Sequence, residues 1–186
     1  MVSFATFNDL RSFSKSIRET DEKVILKEAS RTIIGKTVFL SHSSKDKEYL
    51  SAVVSILEKH GGNVYVDSGD NRLPETPNRK LAEVLRDTIQ FCRKFVLFVT
   101  INSKDSKWIP WELGLADGEK GHNQIALFPT SNYSYEQLWL ATEYLGLYQR
   151  IVWGRIQNAT TSNTWIVLNY EKNTAQTLSQ WLKEGS

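Results

Sequence analysis

The chain has 186 residues, about the length of one domain, and its apolar content of 40% is sufficient for a hydrophobic core. Its 23 basic and 21 acidic residues leave a net charge of +2, so the sequence gives no electrostatic reason to expect a nucleic-acid partner. The single cysteine, Cys92, excludes an internal disulfide, and no apolar run approaches the roughly 18 residues of a membrane helix. No secretory signal pattern occurs at the N-terminus, so the cytoplasm is the expected location.

Residues 1–35 are predicted to form an N-terminal helical extension, and residues 36–186 are predicted to form the main domain. Apolar residues recur at three- to four-residue spacing through residues 2–31, with a break at residues 20–22, which predicts two helices. We expect this extension to pack on the sheet of the main domain or on a partner.

From residue 36 onward, short apolar runs alternate with amphipathic segments. The runs predict five strands, at residues 36–41, 63–67, 95–100, 124–128 and 165–168. The amphipathic segments predict helices at residues 46–59, 76–92, 109–118, 134–148 and 174–183, whereas residues 150–153 fit either a helix end or a short strand. This alternation requires a parallel sheet covered on both faces. The predicted fold is therefore α/β and flavodoxin-like, with a five-stranded parallel sheet in the order 2-1-3-4-5 and helices on both faces.

Local residues also predict where helices begin. Asp46 is a suitable N-cap for the first helix of the main domain. Thr76 followed by Pro77 is a suitable start for the second, and residues 134–137 have the pattern of a capping box.

The segment after the third predicted strand combines a carboxylate with two tryptophans, Trp108 and Trp111. Pro110 suits the first turn of a helix, and if that helix begins near Ile109, Glu112 lies in the same turn, where the helix dipole favours a carboxylate. Glu112 also follows the carboxyl end of a buried strand, the edge at which open α/β sheets bind ligands. The residues alone leave two interpretations open: a carboxylate that caps the helix, or a catalytic carboxylate beside an aromatic wall.

The first predicted strand leads into a short polar loop. Hydroxyl and N–H groups at such a strand end suit an anion, so Ser43 and Lys45 are candidates to face a ligand, and His42 is a candidate base. The alternatives are that Ser43 only turns the chain, that Asp46 only caps its helix and that His42 is solvated surface.

The connection after the second predicted strand, at residues 68–75, exceeds the roughly two to six residues usual for such loops. This length indicates a function. Arg72 within it is a candidate to bind a phosphate, and a solvated arginine in an ordinary loop is the alternative.

Three of these segments, in this order, resemble the motifs of TIR (Toll/interleukin-1 receptor) domains. The first is the aromatic strand with its polar loop at residues 38–46, and the second is Tyr65 to Asp67 with the loop at residues 68–74. The third is Trp108-x-x-x-Glu112 after a buried strand. The resemblance covers about residues 37–168.

The resemblance implies that Glu112 is catalytic, as the corresponding glutamate is in NAD-cleaving TIR domains. It further implies a substrate-binding set, which we expect to comprise Ser41, His42, Ser43, Lys45, Asp67, Arg72 and Trp108. The chain looks most like bacterial TIR proteins of the Thoeris antiphage type, which convert NAD+ to a cyclic ADP-ribose signal for a separate effector protein. We therefore expect NAD+ as the substrate, ADP-ribose or a cyclic isomer as the product, and self-association through the loop at residues 68–74. No cofactor is expected, and the three separated histidines predict no metal site.

Other classes of function fit the sequence less well. A TIR adaptor that acts only by self-association is the main alternative, and Glu112 argues against it. A flavodoxin-type binding module lacks a phosphate-cradling loop here. A response-regulator receiver needs acidic residues after the first strand and a phospho-acceptor aspartate after the third. In this chain the first predicted strand ends in Ser41 and His42, and the third ends at Thr100. The glycine pattern of a Rossmann site and the serine elbow of a hydrolase do not occur.

Overall fold

The computed structural model of the protein describes residues 2–17, 19–68, 78–133, 143–157 and 159–185. The strands are β1 (Ala5–Thr6), β2 (Val38–Ser41), β3 (Val64–Tyr65), β4 (Lys94–Val99), β5 (Ile125–Ser131), β6 (Gln149–Gly154), β7 (Thr164–Asn169) and β8 (Thr174–Thr177). The α-helices are α1 (Phe7–Ser16), α2 (Glu19–Arg31), α3 (Leu50–Lys59), α4 (Arg79–Phe91), α5 (Trp108–Lys120) and α6 (Leu178–Lys183). Short 3-10 helices occur at Ser44–Tyr49, Ile101–Asp105, His122–Gln124 and Glu143–Leu147. Among the described helices, none is both long and apolar enough to cross a bilayer.

The sheet has the order β3-β2-β4-β5-β6-β7-β8, with β1 beside the end of β5. The strands from β3 to β6 are parallel to their neighbours, and helices cover both faces, which confirms the predicted α/β class and the order of the first four predicted strands. The prediction is wrong for the fifth position in the sheet. That position is occupied by β6, the segment that fitted either a helix end or a strand.

The strand predicted as the fifth, β7, is antiparallel to β6, with Arg150 opposite Leu168 and Gly154 opposite Thr164. β8 then pairs antiparallel with β7. The physical reason is the short connection at residues 155–163. A parallel neighbour needs a crossover of about a dozen or more residues, usually helical, whereas an antiparallel neighbour needs only a turn.

The inner strands β2, β4 and β5 are buried on both faces, which explains their continuous apolar runs. Alternate residues of each strand face two separate apolar clusters. In β4, Val96 and Phe98 belong to one cluster, and Phe95, Leu97 and Val99 belong to the other. Helices α1, α2, α3 and α6 contribute to the first cluster, and α4 and α5 contribute to the second.

The start of the chain is part of the sheet, which corrects the prediction of helix from residue 2. Ala5 of β1 lies opposite Thr130 at the end of β5, in a parallel pair. Ser3 forms a separate antiparallel bridge with Trp153 of β6. The N-terminal segment therefore fills the gap where β5 and β6 diverge.

The two N-terminal helices begin and end at different residues from those predicted. α1 starts after Thr6, whose hydroxyl accepts a hydrogen bond from the Asp9 amide while the Asp9 carboxylate accepts one from the Thr6 amide. It ends at Ile17, which has an extended backbone. Residues 20–22, the predicted break, lie inside α2.

Two of the predicted helix starts are also corrected. Asp46 does not cap α3, because Ser44–Tyr49 forms a 3-10 helix that precedes it and is capped by the Ser43 hydroxyl. The N-cap of α4 is Asn78, whose side chain accepts a hydrogen bond from the Leu81 amide. Thr76 and Pro77 themselves, and the predicted capping box at residues 134–137, lie outside the described residues.

The closing helix is shorter than predicted. Residues Thr174–Thr177 form β8, and α6 begins only at Leu178. Thr177 and Gln180 form a capping box at this junction, so the chain changes from strand to helix within one residue.

Candidate functional site

An open cleft of about 240 Å³ lies at the carboxyl edge of the sheet, beyond the ends of β2 and β3 and against α4 and α5. Its walls are formed by His42, Ser44, Lys47, Asp67, Ser68, Leu81, Leu85, Ser106, Trp108 and Glu112. The edge is the one at which parallel α/β sheets bind ligands, because strand ends and helix starts meet there.

Glu112 lies at the inner wall of this cleft. α5 begins at Trp108 with Lys107 as its N-cap, so Glu112 lies beyond the first turn rather than within it as predicted. Its side chain is buried, with 5% of the residue exposed, and its carboxyl group accepts a hydrogen bond of 2.5 Å from the Ser41 hydroxyl. The interpretation of Glu112 as a helix cap is therefore wrong.

The surroundings of Glu112 disfavour its negative charge. Burial, and after it the nearby negative charge of Asp67, raise the pKa of Glu112 from 4.5 to about 8, although the Ser41 hydrogen bond acts in the opposite direction. The carboxyl group is therefore mostly protonated at neutral pH in the free protein. A cation bound beside it would favour the ionised form.

His42 and Asp67 form a second polar group in the cleft. Nδ1 of His42 lies 3.4 Å from Oδ1 of Asp67, and their side chains are 3% and 35% exposed. The distance is within ion-pair range, but Nδ1 of His42 forms no hydrogen bond with any part of the chain that the structure describes. The imidazole is therefore buried at the cleft wall with a polar atom still available.

Trp108 provides the aromatic wall that was predicted as one of two possibilities. It is half-buried, lines the cleft, and meets Trp111 edge-to-face with ring centroids 5.5 Å apart. Trp111 packs on the apolar cluster beneath the sheet. Trp108 also packs on this cluster, so it contributes to both the cleft and the core, whereas Trp111 does not line the cleft.

Of the residues singled out in the polar loop after β2, His42 lines the cleft, but Ser43 and Lys45 do not. Ser43 is buried as a cap, and Lys45 is exposed and bonded to Asp105 with Nζ 2.9 Å from Oδ2. Ser44 and Lys47 line the cleft instead. Both lie in the 3-10 segment at Ser44–Tyr49, which is kinked at Asp46, so their spacing in the sequence alone does not place them on one face. Arg72 lies outside the described residues.

Asp46 holds two loops together rather than facing the cleft. It is buried, and its carboxylate accepts hydrogen bonds from the Thr100 hydroxyl, at 2.7 Å, and from the Asn102 amide, at 2.6 Å. The loop after β2 is thereby fixed to the loop after β4. Across the described ranges, no three His, Cys, Asp or Glu side chains come together in a group that could hold a metal ion.

The fold and the position of the cleft define a TIR domain. A family model for the TIR domain matches residues 38–163, and the chain belongs to this family. At the level of individual proteins, the chain is similar to a protein of Bacillus cereus (strain MSX-D12) named probable 3′ cyclic ADP-D-ribose synthase ThsB′. The two are 36% identical over 131 residues, which cover 69% of this chain and 67% of the relative.

Proposed function

We propose that this protein cleaves the nicotinamide–ribose bond of NAD+ and closes the ADP-ribose part into a cyclic product. The observation that carries the proposal is the buried carboxyl group of Glu112, which the Ser41 hydroxyl holds at the inner wall of the cleft. The TIR family membership and the name of the similar protein, a cyclic ADP-D-ribose synthase, support it.

The reaction needs only one carboxylate. Glycosidases commonly use a second carboxyl group to protonate the leaving oxygen. Nicotinamide in NAD+ is already a cationic pyridinium, so it leaves as a neutral molecule without receiving a proton. What remains is a positively charged, oxocarbenium-like ribose, and Glu112 is placed to stabilise that charge.

The substrate itself supplies the charge that Glu112 needs. Because burial and Asp67 raise the pKa of Glu112 to about 8, the free protein keeps this group mostly neutral. The pyridinium of bound NAD+ lowers that pKa, so the carboxylate forms when the substrate is present. Trp108 offers its ring to the nicotinamide, and an aromatic face also attracts a cation.

In this proposal the cyclic product acts as a second messenger that activates a separate effector protein in antiphage defence, within the cytoplasm. Self-association through the loop after β3 belongs to the same proposal. Residues 69–77 of that loop lie outside the described residues, so its role in assembly stays a prediction. Activity per molecule that rises with protein concentration would support it.

The test is to incubate the purified protein with NAD+, with and without extract of phage-infected cells, and to identify the products by mass spectrometry. The variant Glu112→Gln should lower turnover by at least about a hundredfold, the size of losing one electrostatic transition-state contact. Glu119→Gln, at an exposed carboxylate near the other end of α5, is the control and should turn over NAD+ like the wild type. Near-normal turnover by a folded Glu112→Gln protein would refute the catalytic role and favour the adaptor.

A further inference from the structure

The cleft contains a histidine and an aspartate to which the bond-breaking step assigns no contact with the reacting atoms. His42 follows β2, and Asp67 follows β3, so two neighbouring strands bring the pair to the wall that also contains Glu112. The imidazole is 3% exposed, and its Nδ1 is 3.4 Å from Asp67. A histidine buried beside a carboxylate at a ligand-binding edge is the usual arrangement of a general base and the group that orients it.

Ring closure, unlike nicotinamide release, needs a base. When the bond between nicotinamide and C1 of its ribose breaks, the electron pair leaves with nicotinamide. A hydroxyl oxygen elsewhere in the same molecule then bonds to that carbon and must lose its proton. Attacking water can pass a proton directly to solvent, whereas a hydroxyl held inside the cleft requires a local acceptor.

We propose that His42 accepts the proton of the attacking hydroxyl, and that Asp67 is a positioning residue that orients the imidazole. This inference rests on the proposed NAD+ cleavage. The carboxylate of Asp67, 3.4 Å from Nδ1, favours the tautomer with its hydrogen on Nδ1, which leaves the lone pair on Nε2 for the hydroxyl proton. The imidazolium then returns the proton to solvent, so the balance is NAD+ to cyclic ADP-ribose, nicotinamide and one proton.

The other polar groups of the cleft are less suitable acceptors. Glu112 is bonded to the Ser41 hydroxyl and is engaged with the ribosyl cation. Lys47 is a cation with no free lone pair, and serine hydroxyls are not basic near neutral pH. The remaining two histidines lie outside the cleft. His60 is hydrogen-bonded to the Ile56 carbonyl, and His122, which follows α5, is paired with Asp117.

The test is His42→Asn, which keeps an N–H donor near the position of Nδ1 but has no basic nitrogen. Nicotinamide release and the cyclic share of the product are measured together by mass spectrometry. We expect the cyclic share, measured per nicotinamide released, to fall at least about tenfold, with linear ADP-ribose as the main product. His122→Asn is a matched control, because His122 also pairs with an aspartate, and its cyclic share should equal that of the wild type.

The outcomes separate this inference from the proposed function. A wild-type protein that releases no nicotinamide under any trigger overturns the proposed function. Wild-type cyclisation with an unchanged cyclic share in folded His42→Asn overturns the role of His42 alone. If His42→Asn does not fold, Asp67→Asn decides, because Asp67 is partly exposed: a lower cyclic share supports the inference and an unchanged share refutes it.

Discussion

Replacing Glu112 with glutamine should make the protein more stable while it abolishes turnover. The folded protein holds the pKa of this buried carboxyl group at about 8, against an ordinary value of 4.5. Between those two values the native state retains a proton that the unfolded chain releases. The stability of the wild type therefore falls as the pH rises from about 4.5 to about 8.

The size of the effect follows from the same two values. Each pH unit above the ordinary pKa of 4.5 lowers the unfolding free energy of the wild type by about 1.4 kcal/mol. At pH 7 the buried carboxyl group therefore lowers it by about 3 kcal/mol. Glutamine does not titrate and still offers an oxygen to the Ser41 hydroxyl, the group that donates to Glu112 in the wild type. We therefore expect Glu112→Gln to exceed the wild type in unfolding free energy by about 3 kcal/mol at pH 7, and by almost nothing near pH 4.5.

Urea denaturation of both proteins at several pH values measures this difference, because the unfolding free energy is obtained at each pH from the midpoint and slope. Glu119→Gln is the control, because Glu119 is exposed. The unfolding free energy of this variant should change with pH as that of the wild type does. Parallel stability curves for the wild type and Glu112→Gln across this pH range would refute the reasoning. Glu112 would then be an ordinary carboxylate that the fold tolerates without cost.

Three further predictions concern the structure around the site. Asp46→Ala leaves the buried Thr100 hydroxyl and the partly buried side-chain amide of Asn102 without this partner and should lower the unfolding free energy by about 2–4 kcal/mol, and a loss below about 0.5 kcal/mol in urea denaturation would contradict this. Gly154→Ala places a methyl group 2.7 Å from Cγ1 of Val2 and should cost about 1–3 kcal/mol, most of which Val2→Ala should restore in the double variant. An unaffected melting temperature of the single variant would show that the N-terminal segment does not need this close approach. Burial raises the pKa of Cys92 to about 12, so its thiol should react with Ellman's reagent only after unfolding, and fast reaction in the native protein would contradict its placement.

Three of the four strands that were predicted in their correct places are buried on both faces. β2, β4 and β5 lie inside the sheet, so their sequences are apolar at nearly every position and identify them without any partner. The pairing of β6 and β7 is different, because an apolar run has the same composition in a parallel pair as in an antiparallel one. Only the length of the connection at residues 155–163 distinguishes them, and that length was not used in predicting the fifth strand.

The location of the site was predictable because it depends on topology. Ser41 ends β2, and His42, Asp67 and Glu112 follow three different strands of a parallel sheet, and the ends of such strands meet at one edge. The choice among neighbouring loop residues was not predictable in this way. Whether Ser43 or the next serine faces the cleft depends on the 3-10 helix at Ser44–Tyr49, where the sequence predicted a loop followed by an α-helix.

The character of Glu112 also depends on a contact that sequence spacing does not show. A carboxylate in the first turn of a helix is stabilised by backbone N–H groups and solvent, and it adds to stability. Glu112 is instead enclosed beyond that turn, where its one described hydrogen bond comes from Ser41, 71 residues earlier in the chain. Burial beside another carboxylate makes its charge unfavourable for folding, and a group that weakens the fold is more simply explained by a role in chemistry than by a role in structure. The same burial gives the pyridinium of NAD+ a reason to bind beside Glu112, because it supplies a positive charge that favours the ionised carboxylate.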